Sequence, residues 1–504
     1  MSKPSGSLSR DGWQWTPQTG LKAGVPTVGV IQPPSTAVNG TVYDVAIIGA
    51  GYTGITAARD LTTAGHKTLL IEARDRIGGR SWSSNIEGYP YEMGGTWVHW
   101  AQPFIWRELF RYNLLGTNLE VSPTEQGTCA ILNKDKPTVT MSRQEEDEVV
   151  ESAMKKMVNV DGKYGREAIP YPHDALRNRA AVAIYDKMSM ADRFKQIEHD
   201  LTPTEKLMLE AFMSITCGAK WEEASFFEIL RWWALANYTY TDFMERGLRF
   251  KLACGQSGLQ RCIFDEAKAT GNLAHSFSTP VASVNDKGSV VEVTGRDGHV
   301  FRAKRLICTI PLNVLHTVHF TPALLPLKKQ ASLEGHCNQV VKVHIEVDRP
   351  EHRELGAYNY PNGKLTYAFG DGTTPAGNTH LVAFGSSLPG VHLQPEENIN
   401  ETIEAWKGLL PNTDTKDFKR IVFHNWHKDE FAKGAWEWLK PNQVSKYLDA
   451  LREKQGNVWF GSADWAMGWR GFLDGGIEDG QRVAKEVADD LSGKAPRPAF
   501  LSKL

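Results

Sequence analysis

The sequence predicts a mixed α/β fold with two lobes whose segments alternate along the chain. Three observations support this: a β-α-β pattern near the start (44–72), a mainly helical stretch (103–246), and a return to alternating apolar and polar residues with turn signals (283–310). The 504 residues also exceed what one hydrophobic core usually organises. We therefore expect two lobes that are large enough to enclose a deep cavity.

The β-α-β pattern is the stretch YDVAIIGAGYTGITAARDLTTAGHKTLLIEA (43–73). It predicts a buried strand (44–48), a glycine turn, a helix (53–64) that Gly65 ends, and a second strand that finishes at Glu72. The first lobe is therefore expected to contain parallel strands joined by a helix.

A glycine motif lies between the first strand and the helix. Gly49, Gly51 and Gly54 match G-x-G-x-x-G, and Glu72 follows 18 positions after the last glycine. The three glycines permit a tight turn, a close approach of the backbone to a pyrophosphate, and packing of the helix against the strand. The helix amides near Thr53 favour phosphate, and Glu72, with Ala73 beside it, would face a ribose. The pattern predicts a Rossmann-type dinucleotide site.

Other local patterns complete the two lobes. Residues 1–40 are rich in Ser, Pro, Gly and Thr, so we interpret them as an arm over the surface. TPTEK (202–206) is typical of a capped helix start within the helical stretch. Turn signals at 286–288 and 297–298 divide the later strands, which end in a buried strand (305–310).

The composition excludes several classes of protein. A net charge of −2 provides no broad basic face for nucleic acid. The six cysteines are scattered without C-x-x-C or Cys/His ligand spacing, so neither a disulfide framework nor a metal site is predicted. Residues 1–10 lack a signal-peptide pattern, and no apolar run is long enough to cross a bilayer. We expect a soluble protein without a membrane anchor.

The final tripeptide is an address signal. Ser502, Lys503 and Leu504 form the Ser-Lys-Leu end that a peroxisomal import receptor reads. A given tripeptide ends a chain by chance roughly once in 8,000 cases, so accident is the weaker explanation. The ending predicts a peroxisomal protein whose chemistry suits a peroxide-tolerant compartment.

Two further glycine pairs carry a family resemblance. RDRIGGRSWS (74–83) follows the predicted ribose-binding strand, and MGGTWVHW (93–100) comes soon after. These segments resemble the flavin-containing amine oxidase family. GQSGLQ (255–260), CTIPLNVL (308–315) and FGSADWAMGWRGFLDGGIEDGQRVA (460–484) are similar to family segments in family order. The resemblance covers residues 43–491, and within the family it is greatest to the soluble, peroxisomal fungal monoamine oxidases.

The resemblance implies FAD and a Rossmann-type FAD-binding domain interleaved with a mixed sheet-and-helix substrate domain. The FAD-binding segments would be 41–117, 247–312 and 428–492, and the substrate-domain segments 118–246 and 313–427, between the arm (1–40) and a tail (493–504). The residues carried over to the cofactor are Arg80 and Asp464 near the phosphates, Gly95 and Thr96 at the isoalloxazine edge, Val281 at the adenine, and Leu473 at a helix start that faces the flavin.

The segment FAKGAWEW (431–438) departs from the membrane-bound animal enzymes. Those enzymes carry Gly-Cys-Tyr here, and their cysteine tethers FAD, whereas this chain has Gly434, Ala435 and Trp436. Because alanine has no nucleophile, we predict dissociable FAD. The second family tyrosine corresponds to Phe472. The resemblance implies that Trp436 and Phe472 form an aromatic cage that orients a neutral amine without a salt bridge.

Other positions of the substrate side are less well defined. Many family members carry a lysine near IPLNVLHTVHF (310–320) that holds a water against the flavin, and the candidate here is His316, which could equally be a solvated loop histidine. The expected lining of the outer cavity is Phe212, Trp232 or Trp233, Met244 and Asn338.

The sequence therefore predicts an FAD-dependent monoamine oxidase that converts primary amines to imines and reduces O₂ to H₂O₂. A polyamine oxidase is one alternative, with Glu222, Glu223 and Glu228 as tunnel acids. An amino-acid oxidase, which needs a buried cationic anchor, is another, and a non-catalytic flavin-binding scaffold is a third. Related proteins often pair, so the resemblance also implies a homo-oligomer.

Overall fold

A computed structural model describes residues 6–122, 127–133, 136–361, 363–385, 392–410 and 412–494. The tripeptide at 502–504 lies outside these residues. The helices are α1 (Tyr52–Thr63), α2 (Pro103–Arg111), α3 (Arg143–Val158), α4 (Arg179–Tyr185), α5 (Met190–Ile197), α6 (Pro203–Cys217), α7 (Phe226–Leu235), α8 (Tyr240–Leu248), α9 (Gly255–Ala269), α10 (Pro326–Glu334), α11 (Ile399–Lys407), α12 (Gln443–Arg452) and α13 (Leu473–Leu491).

The strands fall into two large sheets and three small pairs. They are β1 (Ser7–Leu8), β2 (Trp13–Thr16), β3 (Gly20–Ala23), β4 (Pro26–Thr27), β5 (Val42–Ile48), β6 (Thr68–Ile71), β7 (Ser83–Ile86), β8 (Tyr89–Glu92), β9 (Leu119–Val121), β10 (Thr128–Asn133), β11 (Lys136–Ser142), β12 (Phe250–Leu252), β13 (Leu273–Ser276), β14 (Val281–Asp286), β15 (Val291–Gly295), β16 (Val300–Cys308), β17 (His319–Thr321), β18 (Lys342–Val347), β19 (Gly356–Tyr358), β20 (Leu365–Thr373), β21 (Thr379–Gly385), β22 (Phe418–His424) and β23 (Val458–Phe460).

The first large sheet contains the predicted β-α-β unit. Its order is β13-β6-β5-β16-β15-β14-β17, with β23 beside β16, and β5, β6, β13, β16 and β23 pair in parallel. Helix α1 joins β5 to β6 and packs against α9 and α13. The glycine turn therefore lies at the carboxyl end of a central parallel strand, where dinucleotides bind in such folds.

The second large sheet has the order β11-β10-β19-β20-β21-β18-β22-β2-β3. Strand β18 is central and pairs antiparallel with β21 and β22. Strands β2 and β3 come from the segment predicted as a surface arm, so residues 13–23 differ from that expectation. Trp13 stacks on Phe423 with ring centroids 6.5 Å apart, and this apolar contact explains why the segment joins the sheet edge.

The stretch predicted as mainly helical (103–246) holds helices α2 to α8 but also β9, β10 and β11. Strand β10 pairs in parallel with β19, so this stretch also supplies the edge of the second sheet. The predicted helix start at 202–206 is confirmed, since Thr202 and Glu205 form a reciprocal capping box at α6. Among the residues that the structure describes, no helix is long and apolar enough to cross a membrane.

The glycine turn yields a stability prediction. A Cβ on Gly54 would lie 1.9 Å from the carbonyl oxygen of Gly49. We expect Gly54→Ala to lower the free energy of unfolding by about 3 kcal/mol or more and to impair cofactor binding, because the turn must open to admit the methyl group.

Gly65→Ala is the matched control for chemical denaturation. Gly65 has φ +88°, and no heavy atom lies within 4 Å of the place that an alanine methyl group would occupy, so its substitution should cost about 1–2 kcal/mol through backbone conformation alone. Equal losses for the two variants would contradict the steric explanation.

Candidate active site

A long cavity lies between the two lobes and is lined from both large sheets. One end is bounded by the glycine turn, the residues after β6, and the start of β14, including Gly49, Gly51, Thr53, Glu72, Ala73 and Val281. The other end is bounded by aromatic and aliphatic side chains, including Phe212, Trp232, Met244, Trp436 and Phe472. We call these the dinucleotide end and the aromatic end. Their lining contains most of the site residues that the sequence predicts.

Backbone without side chains faces the dinucleotide end. A Cβ on Gly79 would approach Gly51 Cα to 3.2 Å, so a side chain at this position would fill the space between the two glycine turns. Gly49 has φ +101°, which glycine adopts readily. Gly54 does not line the cavity, since its role is the close packing of α1 against the turn. This bare cradle at a helix N-terminus fits the pyrophosphate of a dinucleotide.

Glu72 is buried at the end of the ribose-binding strand. Its two carboxylate oxygens accept hydrogen bonds from the Ala50 amide at 2.6 Å and the Arg74 amide at 2.8 Å. Burial raises the pKa of Glu72, although both of these hydrogen bonds act in the opposite direction. Each oxygen keeps a free lone pair, so Glu72 can also accept hydrogen bonds from a ribose.

Arg80 and Asp464 form an ion pair behind the cavity wall. Arg80 donates from Nη2 to Asp464 and from Nη1 to the Ala435 carbonyl at 2.9 Å. Asp464 also accepts from the Leu312 amide at 2.9 Å. Burial would raise the pKa of Asp464, but the charges of Arg80 and His336 and the hydrogen bonds from Leu312 and Arg80 together outweigh it, so the pKa is lowered. Arg80 lines the cavity and Asp464 does not, so Asp464 orients the arginine.

Three further predicted cofactor residues line the cavity between its two ends. Gly95 is the second glycine of the Gly94-Gly95 pair, Thr96 follows it, and Leu473 is the first residue of α13. The first turn of α13 is thereby directed at the cavity, as the sequence predicts, and its amides offer partial positive charge. Ala435 lines the same wall, and its methyl group provides no nucleophile there.

The two predicted cage residues both line the aromatic end. Trp436 donates from Nε1 to the Thr216 carbonyl at 3.0 Å and lies edge-on to Phe384. Phe472 packs against Trp232 with ring centroids 4.6 Å apart and against Trp469 at 4.9 Å. Each ring is held by contacts with other residues of the cavity wall, so its position does not depend on a bound ligand.

A fully buried ion cluster holds the turn that carries Phe472. Glu228 accepts hydrogen bonds from Arg231 at 2.6 Å and from Arg470 at 2.5 Å. Arg231 also donates to the carbonyl oxygens of Gly468 and Arg470, at 2.9 and 3.1 Å. Glu228, predicted from the sequence as a possible tunnel acid, is therefore an internal partner of two arginines. Glu222 and Glu223 are exposed and do not line the cavity.

Two predicted lining residues face elsewhere. Trp233 is fully buried and donates from Nε1 to the Tyr164 carbonyl at 3.1 Å, so its neighbour Trp232 supplies the cavity wall. Successive residues of a helix point in different directions, which separates the two tryptophans. Asn338 is buried behind the wall, where its Oδ1 accepts from the Val340 amide at 3.1 Å. Its backbone carbonyl accepts from the Ala435 amide, so it supports the wall without forming it.

His316 does not line the cavity. Its backbone amide and its Nδ1 both contact the Ser332 hydroxyl, at 2.8 and 3.0 Å, and this contact turns the ring toward α10. The alternative interpretation of His316 as a loop histidine fits its position better.

Sequence reasoning missed a lysine in the cavity wall. Lys342, the first residue of β18, is buried and donates from Nζ to Thr96 Oγ1 at 2.6 Å and to the Gly94 carbonyl at 3.1 Å. Burial lowers its pKa to about 8, although the nearby charges of Asp371 and Glu92 oppose the shift. A lysine inside the apolar strand NQVVKVHIEV (338–347) is the signal that could have identified it.

Charge is distributed unevenly along the cavity. Among the described residues, the acidic side chains that line it are Glu72 and Glu430, and the arginines are Arg74, Arg80 and Arg296. Arg296 pairs with Glu430, and its amide donates to the Pro280 carbonyl, so this pair lies near Val281 at the dinucleotide end. Among the described lining residues, Lys342 is the charged side chain closest to the aromatic end. The cavity can hold a dinucleotide beside a largely apolar second ligand.

The fold and the cavity define a dinucleotide-dependent oxidoreductase with a Rossmann-type cofactor domain. The family model for flavin containing amine oxidoreductases matches residues 52–488, so the chain belongs to this family. It acts as an oxidoreductase on amines, and the family implies FAD. The glycine cradle, Glu72 and Arg80 fit that cofactor. The prediction of closeness to the fungal branch stays a prediction.

Relatives and solved structures agree with this family. A pseudooxynicotine dehydrogenase of Pseudomonas sp is 30% identical over 457 residues, which cover 90% of this chain and 87% of the relative. The structure of a cyclohexylamine oxidase from Brevibacterium oxydans IH-35A matches with a TM-score of 0.72 at 18% identity, over 90% and 100% of the two chains. A putrescine oxidase bound to putrescine matches with a TM-score of 0.69 at 20% identity, over 89% and 99%.

The lowered pKa of Lys342 generates a prediction about stability and pH. Because the folded protein releases this proton near pH 8 and the unfolded chain near pH 10.5, the unfolded state binds more protons between these values. Relative to Lys342→Met, the wild-type free energy of unfolding should therefore rise across this window, by up to about 3 kcal/mol.

The measurement is denaturant unfolding of both proteins at several pH values from 7.5 to about 10.5. The exposed Lys329→Met is the control, for which we expect a difference from wild type that does not change with pH. A flat difference for Lys342→Met as well would contradict the effect of burial.

Proposed function

We propose that the protein is an FAD-dependent monoamine oxidase. It would convert a primary amine with O₂ and water to an aldehyde, ammonia and H₂O₂, the aldehyde arising by hydrolysis of an imine. The observation that carries the proposal is the aromatic end of the cavity, where Trp436, Phe472 and Trp232 surround the ligand space and acidic side chains are absent from the described lining.

The distribution of charge disfavours the two enzyme alternatives. A polyamine has a second ammonium group, which requires an acid at the aromatic end, and Glu72 and Glu430 lie at the other end. An amino-acid substrate requires an arginine for its carboxylate, and the lining arginines also lie toward the dinucleotide. An apolar amine with one nitrogen matches this lining best.

The residues of this chain would bind, orient and desolvate the amine. FAD, which the glycine cradle, Glu72 and Arg80 would hold, would supply the redox chemistry as the acceptor of a hydride equivalent from the Cα–H bond of the amine, with O₂ as the final electron acceptor. Trp436 and Phe472 would present ring faces to the nitrogen and fix its direction. Lys342 has two of its N–H groups engaged by Thr96 and Gly94, so a neutral Lys342 would offer its lone pair to a water or to the amine.

A second candidate function follows from the relatives. The name of the Pseudomonas relative describes a dehydrogenase of pseudooxynicotine, and its 30% identity extends over most of the chain. This favours testing a heteroaromatic secondary amine and an electron acceptor other than O₂. The aromatic lining suits a ring-bearing substrate of either kind.

The decisive experiment is anaerobic mixing of the purified protein with an amine, followed by admission of air. With butylamine, benzylamine or cyclohexylamine we expect loss of the flavin absorbance near 450 nm, then its recovery with peroxide release. Spermidine, putrescine and leucine should bleach it at least about tenfold more slowly, a difference of about 1.4 kcal/mol in the barrier.

Matched variants link the result to the cage. Phe472→Ala should slow bleaching by the same amines, whereas Phe472→Tyr, which keeps the ring, should stay close to wild type. Bleaching without reoxidation in air would favour the dehydrogenase function. Flavin that no amine bleaches would refute both enzyme functions and support the scaffold alternative.

We also propose that FAD is held without a covalent bond. Ala435 occupies the position of the family's tethering cysteine, so denaturation should free the cofactor. After acid precipitation we expect essentially all yellow colour in the supernatant, with the absorbance and mass of FAD. Colour that stays in the pellet after washing would contradict this proposal.

A peroxisomal location and pairing into a homo-oligomer remain proposals. The final Ser-Lys-Leu supports the location, because a peroxide-producing oxidase benefits from a compartment that removes peroxide. Fusion of residues 495–504 to a fluorescent reporter tests whether the import receptor binds this tail.

A further inference from the structure

We propose that residues 9–12 form a latch on the dinucleotide end of the cavity, in which Asp11 is a positioning residue that holds Arg74 and thereby retains the cofactor. The inference rests on the family's FAD at this end and goes beyond the amine chemistry. It assigns a role to a segment that the sequence pattern suggests is merely a surface arm.

Asp11 joins two arginines from the loop that follows β6. Its Oδ2 accepts from Arg74 Nη1 at 2.9 Å and lies 2.8 Å from Arg76 Nε. A second acid, Asp429, also contacts Arg74, which donates to its Oδ1. The other oxygen of Asp429, Oδ2, lies 2.6 Å from His424 Nε2. Two acids therefore face two arginines, and the contributions come from the latch, the loop after β6 and the segment after β22.

The charges in this group depend on one another because they are buried. The Arg74 side chain is 7% exposed, that of Arg76 is 0% exposed, and that of Asp11 is 18% exposed. Burial would raise the pKa of Asp11, but the charges of Arg76 and Arg74 outweigh it and lower the pKa. Loss of the Asp11 charge would leave two buried arginines opposite one acid, which is costly unless an arginine moves.

Arg74 connects this group to the cavity. It lines the dinucleotide end beside Glu72 and Ala73, and its amide supports the Glu72 carboxylate. Its guanidinium lies 5.3 Å from the centroid of the Phe431 ring, which also lines the cavity and which Arg296 contacts at 5.6 Å. A displacement of Arg74 would loosen Phe431 and the ribose-facing acid together.

The latch is tied down on both sides of Asp11. Ser9 Oγ and the Arg10 amide donate to the two oxygens of Asp75, at 2.7 and 2.9 Å. After Gly12 the chain enters β2, the strand that pairs with β22 in the second sheet. The latch thus spans from the second sheet to the cofactor loop, and its position depends on both lobes.

The test measures FAD binding by the full-length apoprotein, followed by quenching of flavin fluorescence, with no amine present. We expect Asp11→Asn to raise the Kd for FAD at least about tenfold and to speed FAD dissociation. Asp11→Glu, which keeps the charge, should restore the Kd to within about threefold of wild type. Lys22→Ala is the control outside the latch, because Lys22 is exposed on β3, and it should change the Kd by less than about twofold.

A Kd for Asp11→Asn within twofold of wild type would overturn the proposal, and so would equal weakening by Lys22→Ala. A second measurement uses only the wild-type protein, so it tests the proposal even if a variant fails to fold. Amide hydrogen exchange at residues 9–12 should slow on FAD binding, and exchange that does not respond would overturn the latch. Because no substrate is added, failure of the amine oxidase function cannot produce any of these results.

Discussion

The ion pair between Arg80 and Asp464 is the constraint on which the cavity depends. It joins four parts of the chain, because Arg80 also binds the Ala435 carbonyl and Asp464 binds the Leu312 amide. The four residues come from three stretches of the chain that are distant in sequence, and each is in or next to a cavity wall. Backbone groups at such a junction cannot pair within a sheet or helix, so they need side-chain partners. One ion pair, whose aspartate is fully buried, meets this need and sets the spacing of the walls at the same time.

Similar buried charges fix the other walls. Glu228 and its two arginines hold the turn before Phe472 through backbone carbonyls, and Asp429 with Asp11 holds Arg74. Apolar packing alone would allow these loops to slide, whereas directed hydrogen bonds define one arrangement. Such clusters cost desolvation and add little net stability, so their value here lies in positioning. The molecule thus has apolar cores within its layers and ionic junctions where the loops meet.

The sequence predicts those parts of the site that are defined by local chemistry. The glycine turn, Glu72 and Arg80 lie in one short stretch. The start of α13 at Leu473 could be predicted because the sequence around it resembles the family's. Lys342 was missed although polar and apolar residues alternate along its strand (342–347), because alternation separates the two faces of a strand and does not show which face borders the cavity. For the same reason the sequence could not show which of Trp232 and Trp233 lines the cavity, because this depends on the rotation of α7 about its axis. The joining of residues 13–23 to a distant sheet edge depends on a contact with Phe423, more than 400 positions away along the chain.

The placement of Lys342 explains how a site whose described lining has no acid at its aromatic end could suit an amine. Burial disfavours charge on Lys342, and the same surroundings disfavour an ammonium group on a ligand beside it. If both nitrogens carried protons, two positive charges would share a largely apolar space, and Asp371 and Glu92, which act on Lys342, do not line the cavity, so protonation of both nitrogens is disfavoured. A neutral amine has a lone pair and can lie against ring faces and a lysine N–H without this penalty. Under the proposed function, desolvation and like charge would therefore favour the uncharged form of the amine, and the aromatic rings would give it direction.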